Sequence, residues 1–276
     1  MFACRNCGLT DRSPVYRGVP DRFHRLPGSF DYVRCTGCGL VQLETVPANL
    51  ADHYGDYRVH AQDSRVYHLL RKLTIGHCYP VGPGHGALLD YGCGNGWFCR
   101  EMQRLGWQAF GYEPDAAYAR SLADTIGLPV LSGEESLRGR TFAMVTFNFS
   151  FEHLDRPKEA LRLAASCLEP GGRIHVAVPN IESREARVFG EHWFHLDPPR
   201  HISFFTKRML TEALEVEGFG EVSVRDLPVP TGLAGSLSYK LAGRLHPALW
   251  YGGILPGLAW SRFVRDGNFA AAAIKR

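Results

Sequence analysis

Three alternate glycines, Gly92, Gly94 and Gly96, follow the apolar run Ala87-Leu88-Leu89, with Asp90 near the end of that run. Without Cβ atoms such a turn lets the backbone approach a ligand closely, and a helix opening there offers unpaired N–H groups and a positive dipole end. A tight turn with no ligand would use the same residues. The dinucleotide fingerprint Gly-x-Gly-x-x-Gly is not met, because Trp97 stands where its third glycine would be. Glu113 closes the next apolar stretch, Gln108 to Tyr112, at about the spacing of ~20 residues at which a carboxylate reaches a ribose diol. Two further constellations carry chemistry. Cys4-x-x-Cys7 and Cys35-x-x-Cys38 form paired knuckles, each followed by a glycine, Gly8 and Gly39. Four thiolates fill a tetrahedral zinc ion and leave no open position, so the ion would be structural; a redox dithiol is the weaker reading, since neither pair opens a βαβ pattern. Glu152-His153 and the loop His192 to His201 gather imidazoles, rings, acids and Arg200, a composition that suits proton transfer and binding.

The elements that must position these groups read as an α/β alternation. Ala87 to Tyr91 is a short buried strand, Phe98 to Leu105 a helix, Gln108 to Tyr112 a second strand, and Ala116 to Ile126 a helix that Asp115 caps. Pro129 to Leu131 is a third strand. Phe142 to Phe151 is a continuous apolar run broken by Thr146, Asn148 and Ser150, as expected of a central buried strand that delivers Glu152 and His153 at its carboxyl end. Asp155 is expected to cap the following helix, with Pro157 in its first turn, and Ile174 to Val178 is a fifth strand. Thr206 to Glu217 is a helix capped by Thr206, and Glu221 to Arg225 with Asn268 to Ile274 close the sheet as an antiparallel pair. Between them Leu233, Leu237, Leu241 and Leu245 predict an amphipathic helix, while the Trp250 to Trp260 stretch is broken by Gly252, Gly253, Pro256 and Gly257. A lid, a subunit contact and contact with a membrane surface or lipid-linked substrate are the readings open for this segment. Upstream, Tyr54-Gly55-Asp56-Tyr57 precedes a helical pattern through Val66, Leu69, Leu70 and Leu73.

Asp90 followed by Gly-x-Gly-x-Gly resembles the first motif of the class I S-adenosylmethionine-dependent methyltransferases, and the likeness continues along the chain. It implies a Rossmann-like, seven-stranded, mostly parallel sheet with an antiparallel hairpin. It also implies that Asp90, Gly92, Gly94, Gly96, Glu113 and Glu134, with Asn148, hold S-adenosyl-L-methionine, Glu113 on the ribose and Glu134 on the adenine. Glu-His after the fourth strand, the Pro170-Gly171-Gly172 turn and an Asp-x-Pro-Arg-His segment are family features. They make His153, assisted by Glu152, the expected base for a carbon or hydroxyl acceptor, with His201 second and Arg200 as a substrate contact. Ala143 stands where the family usually has an acid, which leaves room for a non-catalytic scaffold. The cysteine knuckles and Tyr54 with Tyr57 resemble zinc-knuckle methyltransferases acting on sugars and other small metabolites, where the tyrosines line the substrate pocket.

Size and charge narrow the alternatives. A chain of 276 residues holds one large core and a small appendage: residues 1–45 as the zinc module, 46–80 as a helical linker and cap, and 81–276 as the methyltransferase domain with 231–264 as a lid-like helical insertion. A net charge of +3, and six Arg against four acids in residues 1–45, give no strong nucleic-acid signature and count against an RNA methyltransferase that grips RNA with its knuckles. The opening residues carry no basic stretch before an apolar run, no segment reaches membrane-spanning length, and reduced thiols suit the cytoplasm. The partners expected are a small-molecule acceptor and, through 231–264, a membrane or a second subunit.

Overall fold

The computed structural model describes residues 2–54 and 76–276. The strands are Arg12–Pro20 (β1), Ser29–Cys35 (β2), Val41–Leu43 (β3), Ala87–Tyr91 (β4), Gln108–Tyr112 (β5), Val130–Leu131 (β6), Phe142–Asn148 (β7), Leu168–Pro179 (β8), Ser203–Phe204 (β9), Phe219–Leu227 (β10) and Asn268–Lys275 (β11). The α-helices are Trp97–Arg104 (α1), Ala116–Ile126 (α2), Pro157–Cys167 (α3), Arg184–Phe189 (α4), Lys207–Val216 (α5), Thr231–Ala242 (α6) and Pro247–Phe263 (α7). Seven strands form one sheet in the order β10-β11-β8-β7-β4-β5-β6. Pairs from β8 through β6 are parallel, while β11 runs antiparallel to both β8 and β10. The expected mostly parallel sheet with an antiparallel pair is therefore present. The chain builds outward from β4 to β6 and then returns to β7 on the other side of β4; at such a switch point the strand ends diverge and leave a crevice for a ligand. Phe142, Val145, Phe147, Ile174 and Val176 on β7 and β8 are fully or almost fully buried, as in strands covered by helices on both faces.

Local signals act as their chemistry dictates, with one exception. Asp115 accepts the Tyr118 amide at 2.8 Å and caps α2, and Thr206 accepts that of Met209 at 3.2 Å and caps α5. Asp155 does not cap α3: Arg156 takes the cap position without a side-chain bond, Pro157 opens the helix, and the Asp155 carboxylate instead meets Arg5 at 3.0 Å. The fifth strand begins earlier than expected, at Leu168, and the Pro-Gly-Gly turn is a register shift inside β8.

The second sheet has the order β1-β2-β3-β9. Its last strand comes from far along the chain: Val41 pairs with Phe204 and Gln42 with Ser203. Val19, Tyr32, Val41 and Leu43 share one apolar cluster with Trp193, Leu196 and Phe204, and the Tyr32 hydroxyl lies 2.9 Å from the carbonyls of both Leu196 and His201. The cysteine-bearing sheet thereby holds the loop that ends at His201.

The segment between β10 and β11 is a helical hairpin. α6 forms where the leucine pattern predicts a helix, yet Leu241 is exposed and the buried positions are Gly232, Ala234, Gly235, Ser236, Ser238 and Tyr239. Nor do its glycines break the second half: α7 runs unbroken through Pro256. Gly253 and Gly257 let α6 and its N-cap come close, whereas nothing lies against Gly252. A Cβ on Gly253 would lie 2.8 Å from that of Ala234. Tyr57 and the Val66, Leu69, Leu70 and Leu73 pattern lie outside the described residues.

Candidate active site

The glycine turn connects the carboxyl end of β4 to α1. Asp90 is buried, and its Oδ1 accepts from Thr146 Oγ1 at 2.7 Å and Asn148 Nδ2 at 2.9 Å, both on β7 across the switch point. Those two bonds hold one acid oxygen in place, and the Asn148 side-chain oxygen is buried without a hydrogen-bond partner among the described residues. Gly92 has φ 74°, and a Cβ there would press to 2.6 Å from Ser150 Cβ, so the turn closes only with glycine. Gly94 faces open space, and its amide donates to Glu113 Oε1 at 2.7 Å. Burial raises the Glu113 carboxyl to about 7 despite that amide, with Asp90 adding to the rise. Glu134 is exposed at the start of the short turn Glu134–Leu137. It lies near the Tyr91 and Tyr112 rings, 4.5 Å apart, whose phenols are held up by burial and, further, by Glu134 and Glu113. The predicted cofactor residues thus ring one end of β4, β5 and β7.

β7 delivers the second group. Ser150 Oγ bonds the Tyr91 carbonyl, and the turn Phe151–His153 follows. Glu152 is 2% exposed, and neither carboxylate oxygen has a hydrogen-bond partner among the described residues. Burial raises its carboxyl to about 8. His153 Nδ1 lies 2.9 Å from the Arg200 carbonyl and 3.2 Å from the Tyr54 hydroxyl, and His201 Nδ1 lies 2.6 Å from the His195 carbonyl. A carbonyl can only accept, so each ring carries its proton on Nδ1 and leaves the Nε2 lone pair available. Burial lowers His153 to about 4 and His201 to about 3, so both imidazoles are neutral at pH 7. The rings meet edge to face with centroids 4.6 Å apart, and one acceptor atom each of Glu152, His153 and His201 lies within 4.8 Å of the others. Such an arrangement can take a proton from a bound hydroxyl or carbon acid and exclude water while doing so.

Arg200, expected on the substrate, is placed elsewhere. It is fully buried, and its five N–H donors are all committed: Nε to Asp197 (2.9 Å), one terminal nitrogen to Asp21 and the His53 carbonyl (3.0 and 3.1 Å), the other to Asp21 (2.8 Å) and Asp197. A guanidinium satisfied by two carboxylates and a carbonyl has no donor left for a ligand. It instead pins together the early loop at Asp21, the linker at His53 and the Asp197–His201 loop. Against burial, which pushes the Asp197 carboxyl up, the Arg200 contact holds it below its ordinary range. Sequence reading missed Asp21 entirely; a lone acid in a loop carries no signal. Asp197 and His195 stood in the composition of the loop without a role. Ala143, whose missing acid suggested a degenerate enzyme, lies near the start of β7 beside Gly86, at the opposite end of the strand from Asn148.

The four knuckle cysteines converge. Cys4 and Cys38 sulfurs are 3.5 Å apart, as are those of Cys7 and Cys35, and all four lie within 4.8 Å of one another. That is far from the ~2.05 Å of a disulfide and near the ~3.8 Å edge of a tetrahedron with ~2.3 Å zinc–sulfur bonds. The knuckles are backbone twins: Gly8 donates to the Cys4 carbonyl at 2.8 Å, Gly39 to that of Cys35 at 2.9 Å. Amides of Asn6 and Cys7 turn to the Cys4 sulfur, and those of Gly37 and Cys38 to the Cys35 sulfur. The set could hold one structural metal ion.

Comparison with known proteins agrees with this geometry. The family model described as a methyltransferase domain matches residues 62–224, more than half of the chain. Among solved structures, a SAM-dependent methyltransferase from Archaeoglobus fulgidus is similar at 20% identity over 81% of this chain and 100% of its own, with a TM-score of 0.54. A SAM-dependent methyltransferase from Thermotoga maritima, described as a possible histamine N-methyltransferase, is similar at 19% identity over 83% of this chain and 97% of its own, TM-score 0.53. A chain from a structure described as the complex between the Haloferax volcanii Trm112 methyltransferase activator and the putative methyltransferase matches at 17% identity over 83% of this chain and 99% of its own, TM-score 0.54. At such identities the likeness is one of fold. No curated protein matches the chain.

Proposed function

The chain belongs to the methyltransferase domain family, and on that premise we propose that it moves a methyl group from S-adenosyl-L-methionine to a small metabolite, a sugar or glycan precursor, by direct in-line transfer. The observation that carries this reading is the pair of acids at the ends of adjoining strands, buried Asp90 and half-buried Glu113, the latter holding the Gly94 amide, with open space beside Gly94 at the sheet's switch point. Asp90 would receive the cofactor's ammonium, Glu113 its ribose diol, and Glu134 its adenine amine, with Gly92, Gly94, Gly96 and Asn148 completing the cradle. The cofactor supplies an electrophilic methyl on a cationic sulfur. The protein must align an acceptor with it and remove a proton where the acceptor is a hydroxyl or carbon acid. His153 takes that proton on Nε2 in this reading, held in its tautomer by the Arg200 carbonyl, with Glu152 and His201 beside it and the Tyr54 hydroxyl at its Nδ1.

Glu113 makes the reading testable by pH. Its carboxyl sits at about 7 in the free protein, and it accepts from both hydroxyls of a ribose diol best when ionised, because the protonated acid turns one of its oxygens into a donor. Calorimetric affinity for S-adenosylmethionine and its demethylated product is therefore expected to rise as pH goes from 6 to 8, by up to about tenfold per unit below 7, and to flatten in Glu113→Gln. Absence of any affinity for either compound would sink the function. The same raised carboxyl binds its proton more tightly folded than unfolded, so it favours folding at low pH and that contribution is lost as pH rises from about 4.5 to 7.

Cys4, Cys7, Cys35 and Cys38 hold a structural zinc ion in this reading, with residues 1–45 as its module, 46–80 as linker and cap, and 81–276 as the methyltransferase domain, working in the cytoplasm. The purified protein should carry one zinc per chain, and Cys35→Ser should weaken zinc binding by more than about 100-fold. Four freely alkylated thiols in metal-replete protein would rule the ion out.

A further inference from the structure

Helix α7 is packed inside out. Gly253, Gly257 and Ser261, four residues apart on one face, are its buried positions, and a Cβ on Gly257 would lie only 2.2 Å from the Pro230 carbonyl oxygen. Several bulky side chains take the other side, while Leu249, Trp250, Ile254 and Trp260 are partly buried: Tyr251 is 72% exposed, Leu255 76% and Phe263 83%, with Leu258 also exposed and Leu241 at the end of α6 69% exposed. A surface helix in water ordinarily shows the reverse, large apolar residues inward and polar ones outward. The charges of the hairpin are one-sided as well. No acidic residue occurs from Thr231 to Arg265, whereas Lys240, Arg244, Arg262 and Arg265 are all exposed.

We propose that this face of the α6–α7 hairpin docks on the surface of an anionic phospholipid bilayer. Leu241, Tyr251, Leu255, Leu258 and Phe263 enter the boundary between headgroups and acyl chains, and the four cations meet lipid phosphates. Charge selects this occupant over a second copy of the chain. A twofold self-contact would set each cation against like charges with no acid on the face to relieve them, whereas an anionic surface neutralises all four. No helix among the described residues is long and apolar enough to cross a membrane, so the hairpin lies on the bilayer. The site loop is next to it. Phe194 packs against Tyr239 and Trp250 of the hairpin, with ring centroids 5.6 and 5.3 Å away, and His195 follows directly.

The test floats the full chain with vesicles of phosphatidylcholine alone and with roughly one quarter phosphatidylglycerol. Binding to the anionic vesicles at least about tenfold above the neutral ones, weakening as salt rises, is expected. The pairs Leu255→Glu with Phe263→Glu, and Lys240→Glu with Arg262→Glu, should each lower that binding about tenfold or more while leaving S-adenosylmethionine affinity unchanged. The affinity measurement shows that the variants fold, and it separates this surface from the methyltransferase reading. Equal, negligible partition onto both vesicle types overturns the proposal. So does a stable dimer in light scattering that Leu255→Glu dissociates while vesicles bind nothing, which would give the face to a second copy.

Discussion

His153→Ala is expected to lower turnover about 10²- to 10⁴-fold while leaving S-adenosylmethionine affinity within about threefold of the native value. The imidazole has its proton fixed by the Arg200 carbonyl, and its ring also lies beside the Tyr54 hydroxyl. Removing it takes away a neutral acceptor lone pair without touching the Asp90, Gly94 and Glu113 cradle. Burial keeps this imidazole at about 4, so no acid limb from it is expected in kcat between pH 8 and 5 at saturating cofactor. Glu152→Gln tests the neighbouring acid, which has no hydrogen-bond partner among the described residues. Isotope-labelled methyl transfer to acceptors that the native protein methylates provides the measurement. Unchanged turnover in His153→Ala would remove His153 from the mechanism, and a parallel collapse of cofactor affinity would make its role structural.

Arg200→Met should cost about 3–5 kcal/mol of stability, read by chemical denaturation, because Asp21 and Asp197 would remain buried without their countercharge. Lysine should not rescue the site: one ammonium cannot reproduce a fork that serves two carboxylates and the His53 carbonyl at once. Neutralising the acids as well, in Arg200→Met with Asp21→Asn and Asp197→Asn, should recover part of the loss, since these groups act as one unit. A loss below about 1 kcal/mol in the single variant would mean that water reaches the acids and that the clamp does not organise the loop. The consequence for function is positional. Arg200 presents the carbonyl that orients His153, so a loosened clamp should lower turnover with little change in cofactor affinity.

Much of this molecule was legible in one dimension. Asp90 with its glycines, Glu113, Glu152 and His153 sit at strand ends, and once alternation fixes which segments are strands, a parallel sheet carries its strand ends to one edge. The knuckles were legible for a similar reason: Cys-x-x-Cys brings two sulfurs together through the local turn alone, and only the meeting of the two pairs needs the fold. Caps at Asp115 and Thr206 are local bonds, and they formed where they were read.

Tertiary structure decided what depends on partners far apart in the chain. Asp155 could have capped a helix but found Arg5. Arg200 looked like a ligand-binding cation until Asp21 arrived from the other end of the chain and used its remaining donors. Gly253 and Gly257 read as breakers because a sequence does not show that another helix needs their missing side chains for close approach. Local propensity and periodicity are properties of neighbouring residues, so the sequence alone determined the elements and the groups at their ends. Whether a charge is satisfied, and which face of a helix is inward, depends on who arrives across space, and that only the fold decides.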